Sequence, residues 1–214
     1  KTMLDRHISQ RAKISAYFVF NFSAVFIASA VSFRAVLFFS AYIFGIWLYS
    51  HKLKKMAFVG NFVSACLAII PFFTVFVYYK NLETVIFVHA SFLFLLILAR
   101  DMIKDLENLA GDFTLDYKTV AVTYGVNTAK LCISLLLLAS FVPTAALVTY
   151  FDIGKMDLYF TAAFGLIAFC VIGLWMAKSK RHYVGLHNLI KLVIVCGVFG
   201  ILLIKPDLVL GRFF

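Results

Sequence analysis

"FVHASFLFLLILARDMIKDLENLAGD", Phe87 to Asp112, changes character halfway along. Through Ala99 it is apolar apart from His89 and Ser91, and it suits a hydrocarbon environment. Beyond Arg100 it collects acids. The whole chain has ten Asp and Glu, and Asp101, Asp105, Glu107, Asp112 and Asp116 make up half of them. A greasy helix therefore leads directly into a carboxylate-rich end, as it would where a membrane span meets water.

The rest of the chain agrees with that reading. Its 214 residues are 64% hydrophobic and 14% charged, with a mean hydropathy of +0.99. Soluble domains are about half apolar and about a quarter charged, so a soluble fold could not hide this much Phe, Leu, Ile and Val. The apolar runs are long and unbroken, which favours helices over the alternating strands of a barrel. Seven runs approach the ~20 residues a crossing needs: 14–32, 35–50, 58–79, 84–99, 129–150, 157–177 and 187–204. The expected fold class is all-α, a polytopic transmembrane helical bundle. No separating linker appears, so 1–214 is read as one domain. Pro71 and Pro143 fall inside expected spans and are candidates for kinks.

Charge then orients the bundle. With the N-terminal segment inside, 15 Lys and Arg fall on the inner side and 5 on the outer side, as the positive-inside rule expects. The net charge of +10 is thus topological, and a nucleic-acid partner is not expected. The reading is a multi-pass protein of the inner or plasma membrane, with its acidic stretch on the cytoplasmic face. Cys66, Cys132, Cys170 and Cys196 lie within expected spans without a CxxC or Cys/His pattern, and are read as packing residues. His89 sits at membrane depth as a bundle-facing hydrogen-bonding group, while His182 and His187 read as surface residues of a basic loop.

At about 100° per residue, Asp101, Asp105, Asn108 and Asp112 fall within about 60° of one another, if one helix runs that far. Lys104 lies at the edge of this stripe. Aligned carboxylates repel, by a few tenths of a kcal/mol per pair on an exposed helix. A bound cation would relieve them, and hard oxygen donors suit Mg²⁺ with phosphate co-ligands. On spacing alone, the alternative is a solvated amphipathic cap on the fourth span with Asp paired to Lys104.

Arg100, Lys104, Asp105, Glu107, Gly111, Asp112, Lys118, Thr119 and Gly125 together resemble the second Asp-rich motif of the UbiA superfamily of intramembrane prenyltransferases. That motif reads R-E-x-x-K-D-x-E-D-x-x-G-D-x-x-x-G-x-K-T-x-x-x-x-x-G. Three positions depart from it: Asp101 stands for Glu, Asn108 for Asp and Asp116 for Gly. Upstream, "YSHKLKKMAFVGN" resembles another segment of the same branch through Tyr49, Ser50, Leu53, Lys54, Gly60 and Asn61. Near the end, "HNLIKLVIVCGVFGILL" is similar to its last helix.

The resemblance implies transfer of an isoprenoid from a prenyl diphosphate to a lipid or aromatic acceptor among membrane lipids, with Mg²⁺ as cofactor. It assigns Asp101, Asp105, Asn108 and Asp112 to the metal. Asp105, Asp112 and Lys104 become catalytic, and Tyr49, Lys54, Asn61, Lys118 and Arg100 become substrate-binding. Details of the motifs are most similar to digeranylgeranylglyceryl phosphate synthase-like members, and quinone-pathway aromatic prenyltransferases share many of these residues. A non-catalytic membrane protein is the remaining class. Family members usually have nine spans and a first Asp-rich motif, N-D-x-x-D-x-x-x-D, before a loop resembling "KTMLDRHIS". The expectation is therefore a truncated chain with seven of nine spans, inactive alone because half of the metal site is missing. Reporter fusions test the orientation: one after Asp116 should read as cytoplasmic, and one after Lys155 as external.

Overall fold

The structure is a computed structural model that describes residues 9–78, 83–151, 153–154 and 156–200. Its described secondary structure is helical throughout, and five helical segments are long and apolar enough to cross a membrane. The chain forms two compact units, 1–51 and 52–214.

The first unit holds α1 (Gln10–Val31) and α2 (Phe33–His51), which pack on each other. Ser9 caps α1, its side chain accepting from the Ala12 amide at 3.2 Å, which satisfies one of the orphan donors of a first turn. Ser32 alone separates the two helices. Its amide donates to the Ala28 carbonyl, and its hydroxyl accepts from the Ala35 amide. One serine thus ends one helix and starts the next. Phe18, Phe20, Phe22, Phe26 and Phe33 are exposed, the arrangement expected of helices whose solvent is lipid.

The second unit starts with a single 3₁₀ turn at Leu53–Lys55 and continues as α3 (Val59–Tyr78) and α4 (Thr84–Glu107). Two short helices follow, α5 (Leu109–Thr114) and α6 (Val120–Tyr124), and then α7 (Val126–Ala139), α8 (Phe141–Tyr150), α9 (Met156–Met176) and α10 (Lys180–Gly200). Helix α4 is the hub, packing against α3, α7, α8 and α10. Eleven of its residues are buried. Phe92, Leu96 and Ile103 meet Ile133, Leu137, Phe160 and Ile167 in one core. Their apolar positions recur around most of the helix, as expected of a helix enclosed on several sides.

The expected spans can be compared with these helices one by one. The runs at 14–32, 35–50, 84–99, 129–150 and 157–177 coincide with the five crossing segments. The run at 58–79 is α3, whose apolar part is the shorter stretch Val59–Thr74. The run at 187–204 begins inside α10, and positions 201–204 lie outside the described residues. Pro71 is accommodated within α3. Pro143 instead lies just beyond an interruption at Ser140, which separates α7 from α8. Proline lacks the amide that would close a bond four residues back. The Ser140 and Thr144 hydroxyls donate to the Leu137 and Ser140 carbonyls at this level.

The continuous acidic helix is a correction. Helix α4 ends at Glu107, and Asn108 leaves the helix at φ −101°, ψ 13° before α5 begins. Asn favours such junctions because its side chain competes for local backbone groups. The four oxygen-bearing residues therefore belong to two helices joined at Asn108. His89 also differs from expectation. It faces the bundle, stacked on Phe72 at 6.0 Å and edge-on to Phe160 at 5.6 Å, and its Nε2 has no hydrogen-bond partner among the described residues.

One buried cation was not anticipated. Lys130, 7% exposed, donates from Nζ to the Ala177 carbonyl at 2.8 Å and lies 5.7 Å from the Tyr183 ring. A positive group at the C-terminal end of α9 meets the negative end of that helix. The Tyr183 hydroxyl donates to the same carbonyl at 3.3 Å. Lys130→Met should strip the carbonyl of its main donor and lower stability by about 1–3 kcal/mol, the usual cost of orphaning a buried acceptor. Thermal unfolding of the detergent-solubilised protein would read this as a clear fall in midpoint. Tyr183→Phe should give a smaller one.

Candidate functional site

The C-terminal end of α4 presents two polar faces, because its residues alternate around the helix every few positions. Asp101 and Asp105 lie one turn apart on one face. Arg100, Lys104 and Glu107 share the other.

The carboxylate face meets α3. The Asn61 amide nitrogen donates to Asp105 Oδ2 at 2.7 Å, and the Ser64 hydroxyl donates to Asp101 Oδ2 at 2.9 Å. Asn61 and Ser64 are three apart, so one face of α3 reads one face of α4. Arg100 reaches Asp101 Oδ1 at 3.3 Å. Both Asp101 oxygens are thus engaged by protein groups, whereas among the described residues Asp105 is bonded through Oδ2 alone. Asp112, Asp101 and Lys104 all act electrostatically on Asp105, so these side chains share one field.

The segment ahead of α3 closes over the acidic loop. Lys54 and Lys55 place their ammonium groups 5.3 and 5.9 Å from the Tyr117 ring, and the Lys118 amide donates to the Lys55 carbonyl at 3.2 Å. Asp112 is partly buried. Desolvation pushes its carboxyl above the usual range, while Lys54 and Lys104 pull it back down. Desolvation is the larger effect here, and cations balance it incompletely.

Backbone geometry keeps the segment tight. A Cβ on Gly60 would lie 3.0 Å from the Leu53 carbonyl oxygen and 3.1 Å from that of Lys54, so only glycine lets α3 start this close to the preceding turn. Asp116 stands where the resembling motif has Gly, and its φ is +55°. That left-handed conformation is one Gly adopts freely and Asp tolerates. The motif's glycine therefore has a conformational reason, and the departure at Asp116 leaves the loop path intact.

The second unit thus brings together Lys54, Asn61, Arg100, Asp101, Lys104, Asp105, Asp112 and the Lys118 backbone. Asn108 forms the junction between α4 and α5. Tyr49 sits near the end of α2, in the first unit. Sequence reading missed Ser64, Tyr117 and His187. His187 is another correction, since it is neither a loop nor a surface residue. It lies on α10 with its side chain 15% exposed, and its Nδ1 is 3.8 Å from Glu107 Oε2. The spacings Asn61/Ser64 and His187/Lys191, each one helical turn, were the available signals.

Among the described residues, no three His, Cys, Asp or Glu side chains converge as a protein-only metal centre would require. Mg²⁺ is commonly held by one or two carboxylates, with waters and phosphate oxygens completing the shell. Asp105 with a free oxygen, and Asp112 near it in charge, fit that donor set. Asp101, tied to Ser64 and Arg100, fits it less well and is better suited to orienting Arg100.

Comparison with known proteins supplies context for this geometry. The UbiA prenyltransferase family matches residues 2–184. A digeranylgeranylglyceryl phosphate synthase of Thermococcus sibiricus is 29% identical over 189 residues, covering 84% of this chain and 64% of that protein. A synthase of the same description from Methanosphaera stadtmanae is 33% identical over 82 residues, 38% of this chain and 30% of that protein. One from Sulfurisphaera tokodaii is 26% identical over 107 residues, 47% and 38% respectively. The chain spans less than two thirds of the length of these curated relatives. No solved structure matches. The loop geometry can be tested directly: Asp116→Gly should hold or raise the unfolding midpoint, whereas Asp116→Val should cost about 1–2 kcal/mol for a left-handed β-branched residue.

Proposed function

The chain belongs to the UbiA prenyltransferase family, and we propose that it serves a membrane prenyltransferase that moves an isoprenoid from a prenyl diphosphate to an acceptor with Mg²⁺. The single observation behind this reading is the meeting of two distant motifs. Asn61 bonds Asp105 across 44 positions, while Lys54 and Lys104 both act on Asp112. A bare solvated cap would need no such partners.

The chemistry follows from the charges. The allylic C1–O bond breaks, and its electron pair departs with the diphosphate. The acceptor oxygen then forms a new bond to C1 and gives up its proton to the departing diphosphate. Asp105 and Asp112 would hold Mg²⁺, which when bound supplies positive charge to neutralise the leaving group. Asn61 fixes the Asp105 carboxylate in one orientation. Lys54, Lys104 and Lys118 contribute ammonium donors to phosphate oxygens. The apolar prenyl tail would remain among lipid-side helices, where water cannot capture the cation.

For the acceptor, we take a glycerol-type phosphate ether, because three relatives carry the synthase description. A quinone-pathway aromatic acceptor is the competing reading, and a non-catalytic role the third. Membranes containing the full-length protein, supplied with labelled geranylgeranyl diphosphate and each acceptor, should yield labelled ether with the glycerol phosphate. Product with the aromatic acceptor alone would reverse that assignment. Asp105→Asn and Asp112→Asn should each lower turnover by two orders of magnitude or more, on the scale of removing a transition-state charge contact. Unchanged turnover and Mg²⁺ dependence would favour the non-catalytic role.

A further inference from the structure

Apart from Lys104, the second face of α4 has no role in the reaction just described, yet it is not built like an inert helix contact. Arg100, Lys104 and Glu107 line it, and across from them α10 brings His187 and, one turn on, Lys191. The charges of Arg100, Glu107, Lys104 and Lys191 all bear on His187. Three cations stand against Glu107 and the Asp101 paired with Arg100, so the cluster still keeps an excess of positive charge before His187 is counted.

Two nitrogens in this cluster are buried without partners among the described residues: Arg100 Nε and His187 Nε2. Buried polar atoms are nearly always paired, and each exception calls for an explanation. Their neighbouring atoms are already directed elsewhere. The terminal Arg100 nitrogen NH1 goes to Asp101, and His187 Nδ1 faces Glu107. A carboxylate beside Nδ1 orients the imidazole and keeps a proton on that nitrogen, so Nε2 becomes a donor when the ring takes a second proton, a state that an incoming phosphate favours. The guanidinium edge that includes Nε is the one that matches phosphate oxygens in a two-point contact. The exposed Lys191 adds mobile charge at the rim.

We propose that Arg100, His187 and Lys191 form a second anion subsite between α4 and α10, which takes the phosphate monoester of the acceptor. It would be distinct from the carboxylate face toward α3, where the diphosphate and Mg²⁺ are proposed to bind. One helix would then hold the two phosphate-bearing substrates on opposite faces, keeping two highly charged headgroups from competing for the same cations. Glu107 would act as a positioning residue, through the His187 ring. The assignment of this phosphate to an acceptor rests on the function proposed above, whereas the existence of the subsite does not.

The test uses full-length protein in lipid nanodiscs, with glycerol 1-phosphate, inorganic phosphate and Mg²⁺–pyrophosphate as separate calorimetric probes. His187→Gln and Lys191→Gln should each weaken glycerol 1-phosphate binding on the order of tenfold, the scale of losing one contact to a charged group. Mg²⁺–pyrophosphate binding should move less than about twofold in the same variants, and Asp112→Asn should show the opposite pattern. In turnover, the two α10 variants should raise the KM for the phosphate-bearing acceptor and leave that for the prenyl diphosphate in place. Equal weakening of both probes would overturn the proposal by merging the cluster with the diphosphate site. Absence of glycerol 1-phosphate binding to the wild-type protein would overturn it outright. Inorganic phosphate binding as tightly as glycerol 1-phosphate, with no KM effect in the variants, would reduce the cluster to a generic anion site and reject the acceptor role. If binding follows the expected pattern while only an aromatic acceptor is prenylated, the subsite stands and the acceptor assignment fails.

Discussion

Carboxylates at the end of a buried helix can persist only if something supplies what water no longer does. Helix α4 is enclosed along most of its length by α3, α7, α8 and α10, and it emerges at the membrane edge bearing Asp101 and Asp105. A carboxylate leaving bulk water loses several kcal/mol of solvation unless it is hydrogen-bonded or paired. Asn61, Ser64 and Arg100 meet that need in part, and they do so with short, directed contacts. The position of α3 relative to α4 follows from this requirement, as does the close start of α3 that Gly60 permits.

The same constraint separates the two faces of α4. Acidic groups look toward amide and hydroxyl donors, while basic groups look toward His187 and Glu107. Packing both sets on one face would have allowed them to neutralise each other as surface ion pairs do, leaving little field for a ligand. Apart from the Arg100–Asp101 pair, the helix keeps the two sets on different faces, and each retains an unbalanced charge. Residual charge of that kind in a poorly hydrated location is typical of sites that bind ions or phosphate groups rather than of structural contacts.

Much of this was legible in the residues alone. Apolar run length identified the helical membrane class, since few other structures satisfy a backbone in hydrocarbon. The motif resemblance singled out Asp105, Asp112, Lys54 and Asn61, which the fold of the second unit brings near one another. What periodicity could not supply was the pairing between motifs, because Asn61 and Asp105 are brought together by tertiary packing. It also overran the end of α4. A 3.6-residue pattern continues smoothly through Asn108, whereas the backbone changes direction there. Lys130 gave no sign in the sequence of its burial against a helix C-terminus, where one carbonyl and one aromatic face substitute for water. His187 read as a loop residue because the adjoining "KSKRH" is so basic, and basic character at a helix start masks the helix that follows.

The interruption at Ser140 bears on how the bundle can deform. Every other crossing segment in the second unit is an unbroken rod, and bending a rod stretches hydrogen bonds along its outer edge. Between α7 and α8 a backbone bond is already forgone at Pro143, and side-chain hydroxyls hold the neighbouring carbonyls. Flexing there strains fewer backbone bonds than elsewhere along this segment, so its compliance is greatest at that level. A bulky hydrophobic tail sliding between helices would find its softest wall at that depth.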